Sequence, residues 1–480
     1  MTAKRCCIVL VLVGWAAASS AAEPDLRVVQ AAKGGDWRAL PALLKQGADP
    51  RAARADGTTA LHWAAYWDEG EGADLLIRAG VNVNAANDLG ATPLWAACEN
   101  GSASMVRRLL QAGANPGVAL LSGETPLMSA ARTGNPDVVK QLLAKGADVN
   151  AKERAYQQTA LMWAAAEKHP AVVEVLLAHG ADVHARAASY TKVVKTTPEQ
   201  ASRNVADIQE GGYTPLLFAA RVGDLASAKL LVAGRANVND TAPAGTSATV
   251  VAAHSGHGEV AAFLLEKGAD PNAAGAGYTA LHAAIVRQDE KLVGALLAAG
   301  ANPNARLLAP TASRRQSGDV YMAPAFVGSP PFWLAARYGA PNIMRLLVKH
   351  GADPLFVHHL DYWAQGEGYA DVHVIEGPTT AIMAAVGMGH RLFRWDGDPK
   401  PDPIADEARA FEAIRLAAEL GVDVNAANAD GNTALHAAVA RRHDSVVKLL
   451  IEKGAKPDVK NKKGQTPVEA AKAGSRRSYQ

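Results

Sequence analysis

The stretch ETPLMSAARTGNPDVVKQLLAKG, residues Glu124–Gly146, decides the fold because most of the chain repeats it. Thr125 can cap a first helix through its hydroxyl, and Pro126 can fill the first helical position, where a missing N–H costs nothing. A polar turn and a second helix with an apolar stripe follow. Gly146 can end that helix because glycine readily adopts the left-handed conformation. The stretch therefore predicts one helix–turn–helix repeat.

Residues that open such a repeat recur along the chain, and most lie 32 to 34 residues apart. Four intervals are longer and exceed 33 residues by 22, 18, 16 and 21. A degenerate repeat, Asp25–Gly57, precedes the first opening threonine, so we predict about twelve repeats with the last one truncated. The opening residues are Thr59, Thr92, Thr125, Thr159, Thr214, Ser247, Thr279, Pro330, Thr379, Thr433 and Thr466.

The motif TALHWAA at Thr59–Ala65, with TALHAA at Thr279–Ala284 and Thr433–Ala438, makes the chain similar to the ankyrin repeat family. This resemblance covers nearly all of residues 24–480. It implies an all-α solenoid of antiparallel helix pairs, with hairpin-like fingers projecting between repeats. It also implies that the histidine of each TALH motif is structural and forms a hydrogen bond near a finger turn.

Three departures from the repeat pattern are visible. Arg235 stands where a helix-closing glycine is expected, and Pro330 opens a repeat in place of threonine. Pro41 falls inside the expected second helix of the first repeat. We therefore expect the first repeat to be an irregular cap.

The N-terminal residues 1–22 have the pattern of a signal peptide. Lys4 and Arg5 precede an apolar run from 8 to 18, and small residues at 20–22 offer a cleavage site. Eleven apolar residues cannot span a bilayer, so we expect no integral membrane segment after cleavage. An uncleaved membrane-anchoring start is the alternative. The pattern predicts a periplasmic or secreted protein.

Composition and charge narrow the class of partner. Hydrophobic residues make up 49% of the chain but aromatic residues only 5%, which suits thin stacked layers better than one large core. Without residues 1–22 the chain has 47 basic and 47 acidic residues, because that segment removes two of the 49 basic residues. We therefore expect no nucleic-acid partner. Cys98, the one cysteine left, is expected to be buried.

Four insertions interrupt the repeats, at about 184–212, 305–328, 355–377 and 387–402. The first three follow a second helix, so they should lengthen fingers along one edge and mark a binding face. The fourth widens the turn between two helices. The helix after it, from about 405 to 420, is expected to be longer than its counterparts and to brace the opposite side.

Aromatic and arginine side chains in the finger insertions are the candidate partner-binding residues, because these types are common interface anchors. The alternative is that the rings pack the loops onto their own repeats. The candidates are Tyr190, Arg314, Arg315, Tyr321, Phe356, Tyr362 and Trp363.

Metal and catalytic sites are not predicted. The third insertion contains His358, His359, Asp361, Asp371 and His373, whose side chains are of metal-ligand type. However, adjacent residues of an extended segment point to opposite sides, and no HExxH spacing occurs. No phosphate-binding glycine loop or nucleophile motif is present in the sequence. We therefore assign no metal, cofactor or catalytic residue.

The sequence thus predicts a non-enzymatic scaffold that binds a protein partner through its concave, finger-side face and inserted loops. An exported effector that acts on a host protein is one alternative. A metal-dependent enzyme that uses the third insertion is another. A scaffold that binds a small molecule in a pocket roofed by the insertions is a third alternative.

Overall fold

The computed structural model describes residues 25–195, 205–311, 322–365, 371–388 and 407–475. The chain divides into two compact units, an N-terminal unit of residues 1–118 and a C-terminal unit of residues 119–480. Each unit consists of repeated pairs of short helices, as the sequence predicts. Within the described residues, no helix combines the length and apolarity needed to cross a membrane.

In most repeats the first helix begins directly after the predicted opening residue. The first helices are α1 Arg27–Lys33, α3 Ala60–Tyr66, α5 Pro93–Glu99, α7 Pro126–Thr133, α9 Ala160–Ala166, α11 Pro215–Val222, α13 Ala248–Ser255, α15 Ala280–Val286, α17 Pro331–Arg337, α19 Ala381–Ala385, α21 Ala434–Arg441 and α23 Pro467–Ser475. The exceptions are α1 and α19.

The second helices are mostly nine residues long. They are α2 Leu40–Lys45, α4 Gly70–Arg78, α6 Ala103–Gln111, α8 Pro136–Ala144, α10 Pro170–Ala178, α12 Leu225–Ala233, α14 Gly258–Glu266, α16 Glu290–Ala298, α18 Pro341–Lys349, α20 Glu407–Glu419 and α22 Asp444–Glu452. The described residues thus hold eleven complete pairs and a final single helix, which confirms the expected twelve repeats.

Neighbouring repeats of each unit bury the apolar stripe between them. First helices pack on first helices, as α7 does on α9 and α9 on α11, and second helices pack on second helices. The paired alanines of the first helix, such as Ala130 and Ala131, are fully buried. Their small side chains allow this close approach, which explains how a chain poor in aromatic residues forms a continuous core within each unit.

The helix ends follow the predicted capping chemistry. The Thr125 hydroxyl accepts the Met128 N–H at 3.3 Å, and Pro126 occupies the first turn of α7. Gly146 has φ +87° just after α8. Arg235 takes the same left-handed conformation with φ +74° in place of glycine. Pro41 lies in the first turn of α2, where its missing N–H is tolerated, so the expected conflict does not arise.

One predicted repeat opening is wrong by one residue. Thr380 caps α19 by accepting the Met383 N–H at 3.4 Å, so Thr380 opens this repeat instead of Thr379. Thr379 is the last residue of an inserted strand. Its carbonyl accepts the Trp333 indole N–H at 3.1 Å. The sequence alone does not distinguish the two adjacent threonines as helix caps. The register of the inserted strand, which ends at Thr379, leaves Thr380 as the cap.

The TALH histidines are structural, as the family resemblance implies. In one repeat, His282 Nδ1 accepts the Thr279 N–H at 3.2 Å and pairs with the Thr279 hydroxyl at 2.8 Å. Its Nε2 pairs with the Ala305 carbonyl in the next finger at 3.1 Å. Burial of the ring lowers the pKa of His282 to about 4, because desolvation disfavours the charged form.

A ladder of asparagines links the fingers of successive repeats. Each side chain donates from Nδ2 to a glycine carbonyl of the next repeat at 2.9–3.4 Å. Its Oδ1 accepts the main-chain N–H two residues beyond that glycine at 2.7–2.9 Å. The finger asparagines are Asn84, Asn150, Asn239, Asn272, Asn304 and Asn425.

The first and third insertions form antiparallel β-hairpins. Strand β1 Ser189–Lys195 pairs with β2 Val205–Gly211, and β3 His358–Gln365 pairs with β4 Asp371–Thr379. Both follow a second helix, so the predicted finger position is correct. The expected all-α class holds for the repeats, and these hairpins add β-structure to it.

The second and fourth insertions lie partly outside the described residues, which omit 312–321 and 389–406. In the second, Met322 is buried, and so is Phe326, the last residue of a short 3-10 helix, Pro324–Phe326. After the fourth, α20 has 13 residues and is longer than its counterparts, as predicted. Arg409 of α20 donates to Gln288 at 3.1 Å, across 121 residues of sequence.

Removal of one ladder asparagine should destabilise the chain without a change in its core. We expect Asn272→Ala to lower the free energy of unfolding by about 1–2 kcal/mol, because two inter-repeat hydrogen bonds are lost. Urea unfolding measured by circular dichroism would test this. Lys291→Ala, a change at an exposed position of α16, is the control and should cost less than about 0.5 kcal/mol. Equal effects of the two substitutions would contradict a structural role of the ladder.

Acid should weaken the fold through His282. The unfolded state takes up a proton near pH 6.5 and the folded state only near pH 4, so stability is lost as the pH falls through this window. We expect His282→Gln to remove a pH-dependent loss of up to about 3 kcal/mol. Unfolding curves at pH 7 and pH 4.5 would measure it. His350→Gln, at an exposed position, should leave the wild-type pH dependence intact, and an unchanged slope in His282→Gln would refute the assignment.

Candidate partner-binding surface

Main-chain hydrogen bonds join several fingers of the C-terminal unit into one edge. Arg154 N–H donates to the Ser122 carbonyl at 2.8 Å, and Ala188 N–H donates to the Tyr156 carbonyl at 2.6 Å. The base of the first hairpin closes with a bond from Gly212 N–H to the Ala188 carbonyl at 2.9 Å. We call the residues of 120–195 and 205–213 on this side the finger edge. Direct finger-to-finger bonds fix the relative positions of its exposed side chains.

A buried carboxylate shapes the finger at 153–158. Glu153 accepts main-chain N–H groups from Ala155, Tyr156 and Gln158 at 2.6–3.0 Å. Gln157 adopts φ +54° and donates its side-chain amide to the Glu153 carbonyl at 3.0 Å. The carboxylate thus satisfies the donors of a tight turn and leaves Tyr156 at its tip.

Two tyrosines meet on the finger edge. The Tyr156 and Tyr190 side chains are 51% and 40% exposed, and their ring centroids lie 5.7 Å apart. The Tyr190 hydroxyl donates to Glu210 at 3.2 Å. Desolvation and this carboxylate raise the pKa of Tyr190, so its phenol stays neutral at physiological pH. Leu121, 63% exposed, extends the apolar surface one finger back.

A second group of aromatic side chains lies on neighbouring first helices. Trp163 and Phe218 pack on the buried Met162, Ala185 and Ala187. The Arg132 guanidinium lies 5.5 Å from the Trp163 ring centroid. This geometry is that of a cation–π contact.

The same group continues to the base of the first hairpin. Tyr213 packs against Phe218 with ring centroids 5.5 Å apart, and Arg221 lies 6.0 Å from the Tyr213 ring. The Tyr213 carbonyl accepts the Ala187 N–H at 3.0 Å. The finger edge and this first-helix cluster, which comprises Arg132, Trp163, Tyr213, Phe218 and Arg221, are therefore adjacent.

Sequence reasoning missed the first-helix cluster because it searched the insertions. A usable signal was present at the fifth position of the repeat, counted from the opening threonine or serine. Several repeats have alanine there, including Ala96, Ala283 and Ala437, whereas Trp163 and Phe218 occupy it in two neighbouring repeats. Other repeats have a buried side chain there, such as Val251 or Leu334, whereas the rings of Trp163 and Phe218 are only partly buried. A large ring that packing leaves partly exposed can serve as a binding surface.

Arg186 anchors the first hairpin to the following finger. Its guanidinium donates to the Gly212 and Thr241 carbonyls, both at 2.8 Å, and pairs with Asp240. These contacts join residues on the two sides of the first insertion. In this finger, His184 stands where other repeats have the ladder asparagine. The base of the hairpin is therefore held on both sides.

The predicted candidates have different outcomes. Tyr190 lies exposed on the finger edge. Phe356 lies under the Arg306 guanidinium, 4.2 Å from its ring centroid, and thereby packs its loop onto a neighbouring finger. Tyr362 and Trp363 are placed in β3 opposite Val374 and His373, but their side chains lie outside the described residues. Arg314, Arg315 and Tyr321 also lie outside the described residues.

His358 has a structural environment. Its ring packs edge-on against Trp333 with centroids 4.8 Å apart, and its Nε2 pairs with the Ala325 carbonyl at 3.0 Å. Burial lowers the pKa of His358. His359 is exposed, so the two adjacent rings do lie on opposite sides. The described residues contain no cluster of three metal-ligand side chains, and the side chains of Asp371 and His373 lie outside them.

Cys98 is fully buried in the N-terminal unit. Desolvation raises the pKa of its thiol well above the usual range, which disfavours the reactive thiolate. The prediction of a buried cysteine is confirmed.

Two family models match the repeats of this chain. Residues 28–119, 104–187, 185–274 and 216–307 match the family described as ankyrin repeats (3 copies), and residues 327–359 and 430–462 match the ankyrin repeat. Among solved structures, the chain is similar to the human ASB11 ankyrin repeat domain, with 27% identity and a TM-score of 0.42 over 51% of this chain and 99% of that domain.

Curated relatives share the repeats and have further regions of their own. The chain is 29% identical over 289 residues to E3 ubiquitin-protein ligase KEG of Arabidopsis thaliana, which covers 58% of this chain and 17% of the ligase. It is 34% identical over 151 residues to palmitoyltransferase ZDHHC17 of Danio rerio, which covers 30% of this chain and 23% of the transferase. The chain thus spans about a fifth of the length of the curated relatives it matches. Because the matched family segments make up more than half of its residues, the chain belongs to the ankyrin repeat family.

Proposed function

We propose that this protein is a non-enzymatic scaffold that holds a protein partner along the finger edge of its C-terminal unit. Tyr156 and Tyr190 carry the proposal, because two large, half-exposed rings in contact are held at fixed positions on that edge. Tyrosine combines apolar area with few rotatable bonds, which makes it a common anchor in protein interfaces. Membership of the ankyrin repeat family supports this role, because the fold of that family is suited to protein–protein interaction.

The first-helix cluster supports the same reading. Arg132 and Arg221 lie over aromatic rings and keep their charged groups at the surface. A partner segment that crosses from the hairpin to the first helices would meet Tyr190, then Tyr213, then Trp163. Such a surface joins apolar contact area with donors for carboxylate or carbonyl groups of the partner. We include in the proposed binding surface the candidates of the second and third insertions, which are Arg314, Arg315, Tyr321, Tyr362 and Trp363.

Neither the ligase nor the transferase activity of the relatives is part of this proposal. Each alignment covers less than a quarter of the relative. Repeats of this family occur beside unrelated catalytic regions, and a shared fold does not carry an activity with it.

Photo-crosslinking would test the proposal at single residues. The photoreactive amino acid p-benzoylphenylalanine would replace Tyr156 or Tyr190, and irradiated adducts would be identified by mass spectrometry. We expect both positions to yield the same partner, since the two rings lie 5.7 Å apart. The control position is Lys229, exposed on the second helix α12, where no adduct with that protein is expected.

The purified pair then gives a quantitative measure. Tyr156→Ala and Tyr190→Ala should each weaken binding at least about fivefold, the effect typical of an interface anchor. The unfolding temperature should change little because both side chains are half-exposed. Adducts of the same protein from Lys229, or unchanged affinity in both alanine variants, would exclude the finger edge as the binding surface.

We further propose that the chain is exported, on the basis of the charged, apolar and small-residue segments within residues 1–22. Cleavage after Ala22 would leave Glu23 as the new N-terminus. Intact-mass measurement of the chain recovered from the periplasmic fraction or the medium should give the mass of residues 23–480. Recovery of the uncleaved chain alone would refute export by this signal.

A further inference from the structure

A second exposed aromatic surface lies in the N-terminal unit, at the end of α3. Tyr66 and Trp67 are 55% and 53% exposed, and Trp63 is half-buried one turn earlier. The Trp63 and Tyr66 ring centroids lie 5.8 Å apart at 83°, and those of Tyr66 and Trp67 lie 5.1 Å apart at 82°. This edge-to-face packing makes the three rings one group, which we call the α3 aromatic corner.

The positions of the two outer rings are unusual among the repeats. The equivalent pair of residues is Arg132 and Thr133 in one repeat and Ala166 and Glu167 in another. Large aromatic side chains are therefore not needed there to close a helix of this fold. More than half of the surface of Tyr66 and of Trp67 remains in contact with water. Exposure of this apolar area is unfavourable, and packing within the chain does not remove it.

The following repeat holds the corner in place. Asn100 donates its side-chain amide to the Ala65 carbonyl at 3.0 Å and to the Tyr66 carbonyl at 2.6 Å. Ser102 donates its hydroxyl to Asp68 at 2.5 Å. Asp68 has φ +54° at a position where other repeats have glycine, such as Gly134. The sequence thus keeps an acidic side chain beside Trp67 in a conformation that glycine would adopt more easily.

The segment that carries the corner is acidic, and the Arg108 guanidinium of the next repeat lies beside Gly70. Between Arg54 and Arg78 there is no lysine or arginine and there are five acidic residues. Asp56 pairs with Arg54 and Asp74 pairs with Arg108. Among the described residues, the other three, Asp68, Glu69 and Glu71, form no ion pair. The C-terminal carbonyls of α3 add negative potential at the same place.

We propose that the α3 aromatic corner binds a cationic side chain of a basic segment in a protein partner, with the cation on the Trp67 ring between the carboxylates of Asp68, Glu69 and Glu71. A guanidinium or ammonium group is attracted by the face of an indole ring and by the neighbouring carboxylates. A purely apolar partner would fit worse, because it would strip water from these carboxylates without replacing it. The corner is open, so it suits a side chain presented by an extended segment. This surface lies in the N-terminal unit and does not depend on the finger edge.

A labelled tetra-arginine peptide tests the proposal on the full chain. Fluorescence anisotropy should detect its binding, and the citrulline peptide of the same length, which has no charge, should not bind. Trp67→Leu keeps an apolar side chain but removes the ring, and it should weaken tetra-arginine binding about fivefold.

Asp68→Gly separates binding from folding. It removes a carboxylate beside Trp67 and its hydrogen bond from Ser102, but it places glycine at φ +54°. These effects on stability oppose each other, so the unfolding temperature should change little while peptide affinity falls at least about twofold. Lys168→Gly is the matched control, because Lys168 has φ +61° at the equivalent position of another repeat. It should leave peptide affinity at the wild-type value.

Three outcomes would overturn the proposal. Wild-type affinity in Trp67→Leu would show that the ring does not contact the cation. Equal binding of the citrulline peptide would show that charge is irrelevant. Wild-type affinity in Asp68→Gly, together with a lower unfolding temperature, would assign the corner to packing alone. None of these results would bear on Tyr156 and Tyr190, so the finger-edge proposal is tested separately.

Discussion

The contact on which the fold most depends is the hydrogen bond from one finger to the next. A pair of short helices cannot bury its own apolar face, so every repeat needs a neighbour at a fixed rise and rotation. Buried alanines set how closely helices approach, and the finger asparagines set the register. Asn272 illustrates this, since its two ends bind the main chain of the next repeat at Gly300 and Asn302.

That register also explains how the chain tolerates insertions. Asn304 reaches Gly351 across 47 residues, with the same geometry as ladder bonds across about 30. The second insertion therefore leaves the finger contact intact. At the two hairpins the asparagine is replaced by His184 and Leu355. Other contacts tie those fingers, from Arg186 to Asp240 in one case and from Phe356 to Arg306 in the other.

The candidate binding surfaces lie where a repeat departs from what its own packing requires. Alanine is enough for stacking at the fifth position of several repeats, yet Trp163 and Phe218 place partly exposed rings there in neighbouring repeats. Glycine suffices after a first helix, yet Asp68 holds the left-handed conformation beside an exposed tryptophan. By the same reasoning His358 and Phe326 are assigned to packing, because each is buried and has its partners within the chain. Exposure combined with a structurally unnecessary side chain is the criterion that separates the two classes.

The sequence by itself determined the repeat, its approximate number, the caps at Thr125 and Gly146 and the finger position of the first three insertions. These features follow from local chemistry and from a period that survives interruption. Tertiary structure alone decided that Thr380 opens its repeat, that two insertions form hairpins and that Tyr190 meets Tyr156 across 34 residues. Strand register and finger contacts involve residues far apart in sequence, whose pairing no local pattern records. The same holds for the α3 aromatic corner, since exposure depends on what the following repeat leaves uncovered.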